Sequence, residues 1–577
     1  MFDYLITGGV IVDGTGKDTF RGDRAIEGNR IAAIGVINGE AREVIDATGM
    51  VISPGFVDPH THYDAQLFWD PRATPSNLHG VTSAVMGNCG FTLAPVNNEN
   101  DADYLRRMMV KVEGMPLEAL ETGVSWDWNS YGEYLSKLEG NVGLNVATMV
   151  GHCALRLAVM GPDATEKIAT PEQVQEMQML LAKCIEEGGL GFSTTRAFTH
   201  KDGDGNPVPS RVASEDELLA LCEVVSQYEG TTVEWASDGC LNGFTDDEVE
   251  LMANMSLRGR RPLNWNVLTV DSARPDDYKN QLKALDTCTG KGARVVALTM
   301  PVLVGMNMSF LTYCGLNMMP DWGPILCLPI EERMERLRDP ETRRFMEERA
   351  SSPDAGVFSR LTGWGRYVIG DTYSPENEGL KGRTVGEIAQ ERGVRDFYCL
   401  LDIVLADDLQ TVLWPGPTDD DPASWHMRTE AWKHPDVMIG GSDAGAHLDR
   451  MSGAPYTTSW LHDCLHGKSL TTLEETIHHI TQVPAELFGL RDRGVLREGW
   501  FADIVVFDPD KINAGEIILL NDLPGGEGRL YADVKGMHRV FVNGVVTVMD
   551  NEPTDNLPGT ILKSGQDTYT VKIPADV

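Results

Sequence analysis

The stretch MVISPGFVDPHTHYD, residues 50–64, decides the fold class because it joins an apolar strand to two closely spaced histidines. Residues 50–57 have the composition of a buried β-strand. His60 and His62 follow, and side chains two apart on a strand point to the same face. Neutral imidazole is a common ligand for zinc-like metals, so the pair forms half of a metal site. A bare His-x-His is more often two polar loop residues, but its position after a strand favours the metal interpretation.

The middle of the chain alternates helix and strand signals. Thr170 and Pro171 form a helix start, an N-cap followed by proline, and the glycine pair 188–189 ends that helix. Ser214 and Glu217 form a capping-box pattern that begins a second helix. The runs LGFST and TTVEW that follow the helices predict parallel strands joined by crossover helices. Over more than 400 residues this predicts an elaborated (β/α)8 barrel. An open doubly wound sheet is the alternative, but the sequence has no G-x-G-x-x-G loop after an early strand to support it.

The two ends of the chain have a different pattern. Residues 1–53 contain short strand-like runs separated by turns, and the tail has similar runs, with a hairpin signal at residues 543–544. We therefore predict that residues 1–54 and 488–577 form one composite β-sandwich domain beside a barrel of residues 55–487. The predicted fold class is α/β: a distorted (β/α)8 TIM-type barrel with a small β-sandwich built from both termini.

The composition is strongly acidic. The 577 residues include 49 Lys and Arg against 86 Asp and Glu, a formal net charge of −37. Such a surface repels phosphate backbones and anionic membranes, so we expect no nucleic-acid partner and no membrane partner. The first residues lack the basic region of a secretory signal, and the ten cysteines include no C-x-x-C pair. We therefore expect reduced thiols and a cytoplasmic location.

One uncharged segment tests this interpretation. Residues 295–320 are long enough to span a bilayer, but proline, glycine and asparagine interrupt them. We interpret them as a buried strand followed by an apolar, Met-rich loop, residues 300–322, which contains Phe310, Tyr313 and Trp322. The loop is predicted to form either an apolar wall or lid of a substrate site or a contact in an oligomer.

Two further segments carry side chains that suit a metal site. Cys89 lies between glycines in GNCG, residues 87–90, and a thiolate is a strong soft ligand. Asp443 lies in GGSDAGAH, residues 440–447, after an apolar run, where a carboxylate can bind metal and accept a proton from water. Alone, Cys89 is more often a small buried hydrophobe, and Asp443 is as often a turn or N-cap residue. Their positions after strand-like runs favour the functional interpretation.

Taken together, the segments GFVDPHTH, GNCGFTLAP, GHCALR, SDAGAH and PAELFGLRDRGVLREGWFADIVVFDPD resemble the metal-dependent amidohydrolase superfamily, in its D-aminoacylase (N-acyl-D-amino-acid deacylase) branch. The motifs agree in order, and the similarity covers nearly the whole chain. The resemblance implies a distorted (β/α)8 barrel with a β-sandwich from both chain ends. It also implies that His60, His62 and Cys89 bind metal, and that Asp443 is both a ligand and the general acid/base.

The chain departs from the family pattern at two positions. The family has a histidine near the end of strand five and another near the end of strand six, where this chain has TTVEWASDG and RPLNWNVLTVD. Glu234, roughly at the first position, is added to the predicted ligands, and Asn266, at the second, is predicted to contact substrate. The alternative is a single ion held by His60, His62 and Asp443. The expected cofactor is one or two divalent ions, zinc first, with Mn or Fe favoured by an oxygen-rich ligand set.

Four other polar side chains fall near predicted strand ends. His200 lies in a polar loop and is predicted to contact the substrate or the leaving group. Arg156 is a candidate clamp for a substrate carboxylate, although a lone arginine is usually salt-bridged. His152 is also predicted near the substrate. For His152 and His447, a role in holding a metal ligand by a hydrogen bond is the alternative.

These features predict a metal-dependent hydrolase of amide C–N bonds. N-acyl-D-amino acids or related N-acyl compounds are the expected small-molecule substrates, and a homo-oligomer is the expected assembly. The alternatives are hydrolysis of a cyclic amide, such as a cyclic dipeptide or imide, a metal-dependent lyase or isomerase, and a non-catalytic binding protein on the same fold. Non-catalytic relatives tend to lose the His-x-His pair and the last aspartate, and this chain retains both.

Overall fold

The structure, a computed structural model, describes residues 1–312 and 314–576. Tyr313 of the predicted Met-rich loop therefore lies outside the described residues. The strands in chain order are β1 Phe2–Ile11, β2 Phe20–Glu27, β3 Arg30–Gly35, β4 Ala41–Asp46, β5 Val51–Pro54, β6 Phe56–Asp58, β7 Val81–Met86, β8 Asn145–Thr148, β9 Val150–Gly151, β10 Gly191–Thr195, β11 Thr232–Ala236, β12 Leu263–Trp265, β13 Val295–Thr299, β14 Gly305–Met306, β15 Val368–Ile369, β16 Leu413–Trp414, β17 Val437–Ile439, β18 Met451–Ser452, β19 Ile504–Phe507, β20 Asn513–Ala514, β21 Ile518–Leu520, β22 Arg529–Tyr531, β23 Val534–Lys535, β24 Met537–Val542, β25 Val545–Met549, β26 Glu552–Pro553 and β27 Ile561–Leu562.

The α-helices in chain order are α1 Glu99–Val112, α2 Leu117–Gly123, α3 Tyr131–Leu138, α4 His152–Met160, α5 Pro171–Glu186, α6 Glu215–Val225, α7 Gly239–Asn242, α8 Asp246–Gly259, α9 Pro275–Gly290, α10 Gly323–Leu326, α11 Ile330–Arg338, α12 Pro340–Ala350, α13 Val385–Arg392, α14 Asp396–Ala406, α15 Pro422–Ala431, α16 Tyr456–His466, α17 Leu473–Ile480 and α18 Gln482–Leu487. Short 3-10 helices lie at Gln66–Phe68, Gly161–Thr165, Pro209–Val212, Gly315–Met318, Pro353–Thr362, Trp364–Arg366, Pro375–Asn377, Pro524–Gly526 and Pro574–Asp576. Among the helices of the described residues, none is long and apolar enough to cross a membrane.

The chain forms two compact units. The first contains residues 1–269, 276–302 and 428–577, and the second contains residues 270–275 and 303–427. The predicted domain boundaries at residues 54 and 488 fall inside the first unit, and that division stays a prediction.

Parallel strands form the α/β part of the first unit. One sheet has the order β17-β13-β12-β11-β10-β9, and another has the order β27-β8-β7-β6. Met149 alone separates β8 from β9, and its N–H donates to the Met86 carbonyl at 2.8 Å. Beyond β6 and β17, Thr61 and Ala444 form a parallel bridge. Helices connect most of these parallel strands, so the predicted α/β class is confirmed.

Two predicted helix starts are present, but they differ in one contact. Before α5, the Thr170 side chain accepts the Gln173 N–H, and the Gln173 side chain accepts the Thr170 N–H, which completes a capping box. Before α6, the Ser214 hydroxyl accepts the Glu217 N–H at 3.2 Å. The Glu217 carboxylate does not return to the cap, because it is buried against Arg156. The predicted capping box at this helix is therefore only half formed.

Strands from both chain ends pair in one mixed sheet. Its order is β26-β25-β24-β19-β5-β1-β2-β3, with β4 added beside β1. The ends meet where β5 and β19 run antiparallel, with Ile52 opposite Val506. Buried Ile6, Ile504 and Phe541 belong to the apolar core of this region. The pairing of the two termini is thus observed, whereas their arrangement as a two-layered sandwich stays a prediction.

The second unit is built mainly from helices around an aromatic core. The Trp322 ring stacks on Trp364 with centroids 5.7 Å apart, and Phe397 lies 5.1 Å from Trp364. Phe310 is also buried in this core.

The sequence predicted a buried strand before the Met-rich loop, and β13 is buried throughout. Two of the predicted loop aromatics, Phe310 and Trp322, therefore serve the unit's own packing, and the loop's role toward substrate or an oligomer stays a prediction.

Candidate metal centre

The segments that follow β6 and β17 are tied together by their backbones. The His62 N–H donates to the Ala444 carbonyl at 2.7 Å, and the Asp443 N–H donates to the His60 carbonyl at 3.0 Å. The parallel Thr61–Ala444 bridge lies between these bonds. Because the two segments share hydrogen bonds, the side chains of His60, His62 and Asp443 are held at one place at the carboxyl ends of their strands.

The polar atoms of this cluster converge. The Asp443 Oδ1 atom lies 3.2 Å from His62 Nε2 and 3.6 Å from His60 Nε2. The Cys89 Sγ atom lies 3.7 Å from His60 Nε2. Both imidazoles are almost completely buried, and the Asp443 carboxylate is partly exposed. The ligand atoms of His60, His62 and Cys89 all lie within 4.8 Å of one another.

This spacing fits one divalent ion. Metal–ligand bonds of roughly 2.0–2.3 Å at tetrahedral angles place neighbouring ligand atoms about 3.3–3.8 Å apart. Each of the three measured separations is within about 0.1 Å of that range. The Nδ1 atom of His60 is buried on the other edge of the ring, so Nε2 is the nitrogen that faces the cluster. The donor set of imidazole, thiol and carboxylate therefore fits a zinc-like ion.

Glu234 supports the cysteine segment. The Cys89 backbone is left-handed, with φ of 55°, and its N–H donates to Glu234 Oε2 at 2.8 Å. The other carboxylate oxygen, Oε1, is buried and has no hydrogen-bond partner in the described part of the chain. An orphaned buried oxygen is costly, and a cation beside it would satisfy it. The predicted role of Glu234 as a ligand stays a prediction that this orphaned atom favours.

On the neighbouring strand β12, Asn264 rather than Asn266 is the register partner of Glu234. The Asn264 Nδ2 donates to the Val233 carbonyl at 3.3 Å, and its Oδ1 atom is buried without a hydrogen-bond partner in the described residues. Asn266 is the first residue after β12, two positions beyond Asn264, and is partly exposed. Its predicted contact with substrate stays a prediction.

Burial controls the ionisation of the cluster. It lowers the pKa of His60 to about 3, with His62 adding to the effect. It also opposes the protonation of His62, but Glu113 and Asp443 outweigh it and raise that pKa to about 10. Burial raises the pKa of Glu234 to about 8. The pKa of Asp443 is lowered, because burial is outweighed by the bond to His62. A divalent ion in the cluster would favour the ionised carboxylates.

Two further histidines lie near Asp443. The His447 Nε2 atom is 3.8 Å from Asp443 Oδ2. The Nδ1 atom of His200 is 2.7 Å from the Thr195 hydroxyl oxygen. Burial, with His62 and His447 adding to the effect, lowers the pKa of His200 to about 3. The structure thus places His200 within electrostatic reach of the cluster, and its contact with substrate stays a prediction.

The structure places His152 and Arg156 in an ionic cluster of their own. The Nε2 atom of His152 lies 2.8 Å from Glu217 Oε1, and its Nδ1 atom lies 2.8 Å from the Thr194 hydroxyl. The Arg156 guanidinium binds both oxygens of Glu217 and also the carbonyls of Ala164 and Lys167. The side chains of His152, Arg156 and Glu217 are fully buried. These contacts fit the structural alternative for both residues, and their predicted contacts with substrate stay a prediction.

The sequence reasoning missed two carboxylates that support the site. Asp58 Oδ1 accepts the Ser442 N–H at 3.1 Å and thereby links the two ligand segments. Glu113 Oε1 lies 3.4 Å from His62 Nδ1, on the edge of the ring away from the cluster. Asp58 belongs to the His-x-His motif itself and was within reach of sequence reasoning. Glu113 follows α1 in the stretch KVEGMP, where no motif marks it.

Comparison with known proteins places this geometry in a family. The model described as "Amidohydrolase family" matches residues 43–519. The chain belongs to the amidohydrolase family. It is 26% identical to D-aminoacylase of Alcaligenes xylosoxydans xylosoxydans over 579 residues, which cover 97% of each chain. It is also 26% identical to N-acyl-D-aspartate deacylase of the same organism, covering 98% of this chain and 95% of the relative.

A solved D-aminoacylase structure shares the fold. It aligns with a TM-score of 0.65 at 25% identity, over 98% of this chain and 100% of the other. That enzyme is described as having a binuclear metal centre, with activation by one metal and attenuation by the second. The resemblance predicted from the motifs is confirmed. This amidohydrolase is a metal-dependent enzyme that hydrolyses amide bonds, and its cofactor is a divalent metal.

Proposed function

We propose that this amidohydrolase removes the acyl group from N-acyl-D-amino acids or closely related N-acyl compounds. The proposal rests on one observation: the imidazoles of His60 and His62, the thiol of Cys89 and the carboxylate of Asp443 converge at ligand spacing. Full-length similarity to D-aminoacylase and N-acyl-D-aspartate deacylase supports the substrate class.

The residues of the chain divide the work of amide hydrolysis. His60, His62, Cys89 and Asp443 would hold a divalent ion, which would polarise the carbonyl as a Lewis acid and lower the pKa of water. Asp443 Oδ1 faces the two imidazoles, which leaves Oδ2 to accept a proton from the attacking water. Asp443 then returns that proton to the amide nitrogen as the C–N bond breaks. The fixed backbone of Asp443 keeps the carboxylate in place for both transfers.

Zinc is the proposed ion, because thiolate and imidazole are ligands that zinc prefers. Glu234 is proposed as a further ligand through its orphaned Oε1 atom. Asn264 lies on β12, next to the strand of Glu234, and Asn266 follows the end of β12; neither is a histidine. The second position of a binuclear centre therefore has fewer nitrogen ligands and more oxygen ligands, which favours Mn or Fe there over a tight second zinc.

The proposal includes the architecture that presents the site. The parallel strands β6, β7, β8 with β9, β10, β11, β12, β13 and β17 form one distorted eight-stranded barrel. The Thr61–Ala444 bridge and the hydrogen bond from Met149 to Met86 support its two closing edges. Residues 1–54 and 488–577 form the composite sandwich domain, residues 55–487 form the barrel, and the protein is a cytoplasmic homo-oligomer.

The test is metal analysis of the purified protein followed by an activity panel. We expect bound zinc and release of free amino acid from N-acyl-D-amino acids, with little release from the N-acyl-L enantiomers as matched controls. Cyclic dipeptides and imides in the same panel test the alternative substrate class. Activity on the cyclic amides alone would replace the proposed substrate, and a metal-replete protein inactive on every amide would favour the non-catalytic alternative.

A further inference from the structure

We infer that Glu113 is a positioning residue that selects the metal-binding form of His62. This inference rests on the proposed metal site. The Oε1 atom of Glu113 lies 3.4 Å from His62 Nδ1, while the opposite ring nitrogen, Nε2, lies 3.2 Å from Asp443 Oδ1. One edge of the imidazole thus faces a carboxylate outside the cluster, and the other edge faces the proposed ion.

The chemistry of imidazole gives this arrangement its consequence. A neutral imidazole carries one N–H, and only the nitrogen without it can bind a metal. A carboxylate beside Nδ1 stabilises the N–H there and leaves the Nε2 lone pair for the ion. The side chains of His62 and Glu113 are 1% and 4% exposed, so water does not compete for the contact. The contact is at ion-pair distance, and His62 Nδ1 has no hydrogen-bond partner in the described residues.

Glu113 is itself held from two directions. Its N–H donates to the Met109 carbonyl at 3.0 Å, which makes it the C-cap of α1. Its own carbonyl accepts the N–H of His447, four residues after Asp443. The single residue therefore contacts one ligand through its side chain and fixes the segment after another ligand through its backbone. Gly114, with φ of 59°, lets the chain turn directly after it.

The two histidines of the pair differ in this respect. Neither outer nitrogen has a hydrogen-bond partner in the described part of the chain, but the structure places no carboxylate within ion-pair distance of His60 Nδ1 there. Only His62 of the two ligands has a carboxylate at its outer nitrogen. Removing Glu113 should therefore weaken the site through His62 specifically.

The experiment measures the affinity for Zn²⁺ by competition with a chromophoric chelator in the full-length protein. We expect Glu113→Ala to weaken Zn²⁺ binding roughly 10- to 100-fold, the usual cost of losing an outer partner of a metal-bound histidine. Glu113→Gln should lose less, because its amide oxygen still accepts the Nδ1–H. Glu217→Gln is the matched control: it neutralises a carboxylate beside another buried histidine, His152, and should leave Zn²⁺ affinity unchanged.

A second measurement separates positioning from a merely structural role. Visible absorption of the Co²⁺-loaded protein reports the ligand field, and we expect a changed spectrum in Glu113→Ala and recovery in Glu113→Gln. If Glu113→Ala does not fold, the comparison of Glu113→Gln with the unmodified protein carries the test, with a measurable loss of affinity expected. Unchanged Zn²⁺ affinity and an unchanged Co²⁺ spectrum in both variants would overturn this inference and leave the proposed function intact. An unmodified protein that binds neither Zn²⁺ nor Co²⁺ would overturn the proposed function and this inference with it.

Discussion

Two buried histidine clusters lie in the first unit, and they differ in how their ring nitrogens are used. At His152, both nitrogens have close partners, the Glu217 carboxylate and the Thr194 hydroxyl, each at 2.8 Å. At His60, one nitrogen is buried without a partner in the described residues, and the other faces a thiol and a carboxylate at 3.6–3.7 Å. Both imidazoles are fully buried, so burial alone does not separate them.

The difference shows what distinguishes a binding site from a structural cluster. Folded proteins satisfy nearly all buried polar groups, and the cluster around His152 follows that rule. The candidate metal cluster breaks it at His60 Nδ1, His62 Nδ1 and Glu234 Oε1. The separations of 3.2–3.7 Å between its polar atoms also match those between ligands arranged around one ion. Variants of the two clusters should therefore affect different properties.

The largest effect is expected at Asp443. Asp443→Asn keeps the shape of the side chain but removes the group that accepts and returns the proton. We expect kcat on the best N-acyl substrate to fall at least about 10³-fold, within the range for loss of a general acid/base. The far-ultraviolet circular dichroism spectrum should not change. Near-normal turnover in Asp443→Asn would remove the assigned role.

The next effect tests the cluster of His152, Arg156 and Glu217, in which both ring nitrogens of the histidine have partners. Arg156→Met leaves the buried Glu217 carboxylate without its guanidinium partner, so we expect a loss of about 3 kcal/mol or more in the free energy of unfolding by urea. Zn²⁺ affinity should stay the same. The control is Lys137→Met, which breaks the exposed pair with Asp127 and should change stability by less than about 0.5 kcal/mol. A stable Arg156→Met protein that has lost metal would contradict the separation of the two clusters.

The sequence was informative where chemistry follows directly from a strand end. The His-x-His pair, Cys89 and Asp443 each follow a strand-like run, and the structure brings their polar atoms together. The start of α5 was also predictable, because Thr170, Pro171 and Gln173 complete a capping box using only local contacts. These features depend on neighbours in the sequence and on the rule that parallel strands end at one edge.

The missed features depend on contacts between distant residues. Ser214 and Glu217 carry the same local pattern as the start of α5, yet Glu217 is turned away from the cap by Arg156, 61 residues earlier. Glu113 contacts His62, which lies 51 positions earlier in the chain (113 − 62), and no pattern in KVEGMP predicts that contact. The sequence left open whether Arg156 binds substrate or forms a salt bridge, because it did not reveal Glu217 as a buried partner.

A smaller effect is expected at the thiol of the metal cluster. Cys89→Ser replaces a strong soft ligand with a hydroxyl that binds zinc poorly. We expect Zn²⁺ affinity, measured by chelator competition, to fall by roughly 100-fold, because even the loss of an outer partner of a metal-bound histidine costs about 10- to 100-fold. Stability without metal should change little, because the backbone bond from residue 89 to Glu234 is kept. Cys153→Ser is the matched control, since that buried thiol contacts the Ser210 hydroxyl and is no part of the metal cluster. Equal zinc affinity in the two variants would exclude the thiol as a ligand.

The smallest effect concerns a third buried histidine, whose two ring nitrogens both have partners, as in His152. His79 Nδ1 lies 2.7 Å from the Thr458 hydroxyl, and Nε2 lies 3.1 Å from the Ala532 carbonyl. Burial lowers its pKa to about 4, against about 6.5 in an unfolded chain. Between these values the unfolded state binds more protons than the folded state. The stability from neutral His79 is therefore complete above pH 6.5 and is lost as the pH falls toward 4.

From pH 7 to pH 5 this histidine should account for a loss of about 2 kcal/mol in the free energy of unfolding. The measurement is urea unfolding at both pH values for the unmodified protein and for His79→Gln, whose amide does not titrate. The unmodified protein should lose about 2 kcal/mol more than the variant over this interval. An equal loss in the His79→Gln variant and the unmodified protein would mean that His79 titrates normally, and that a saturated pair of ring contacts is not enough to keep a buried histidine neutral.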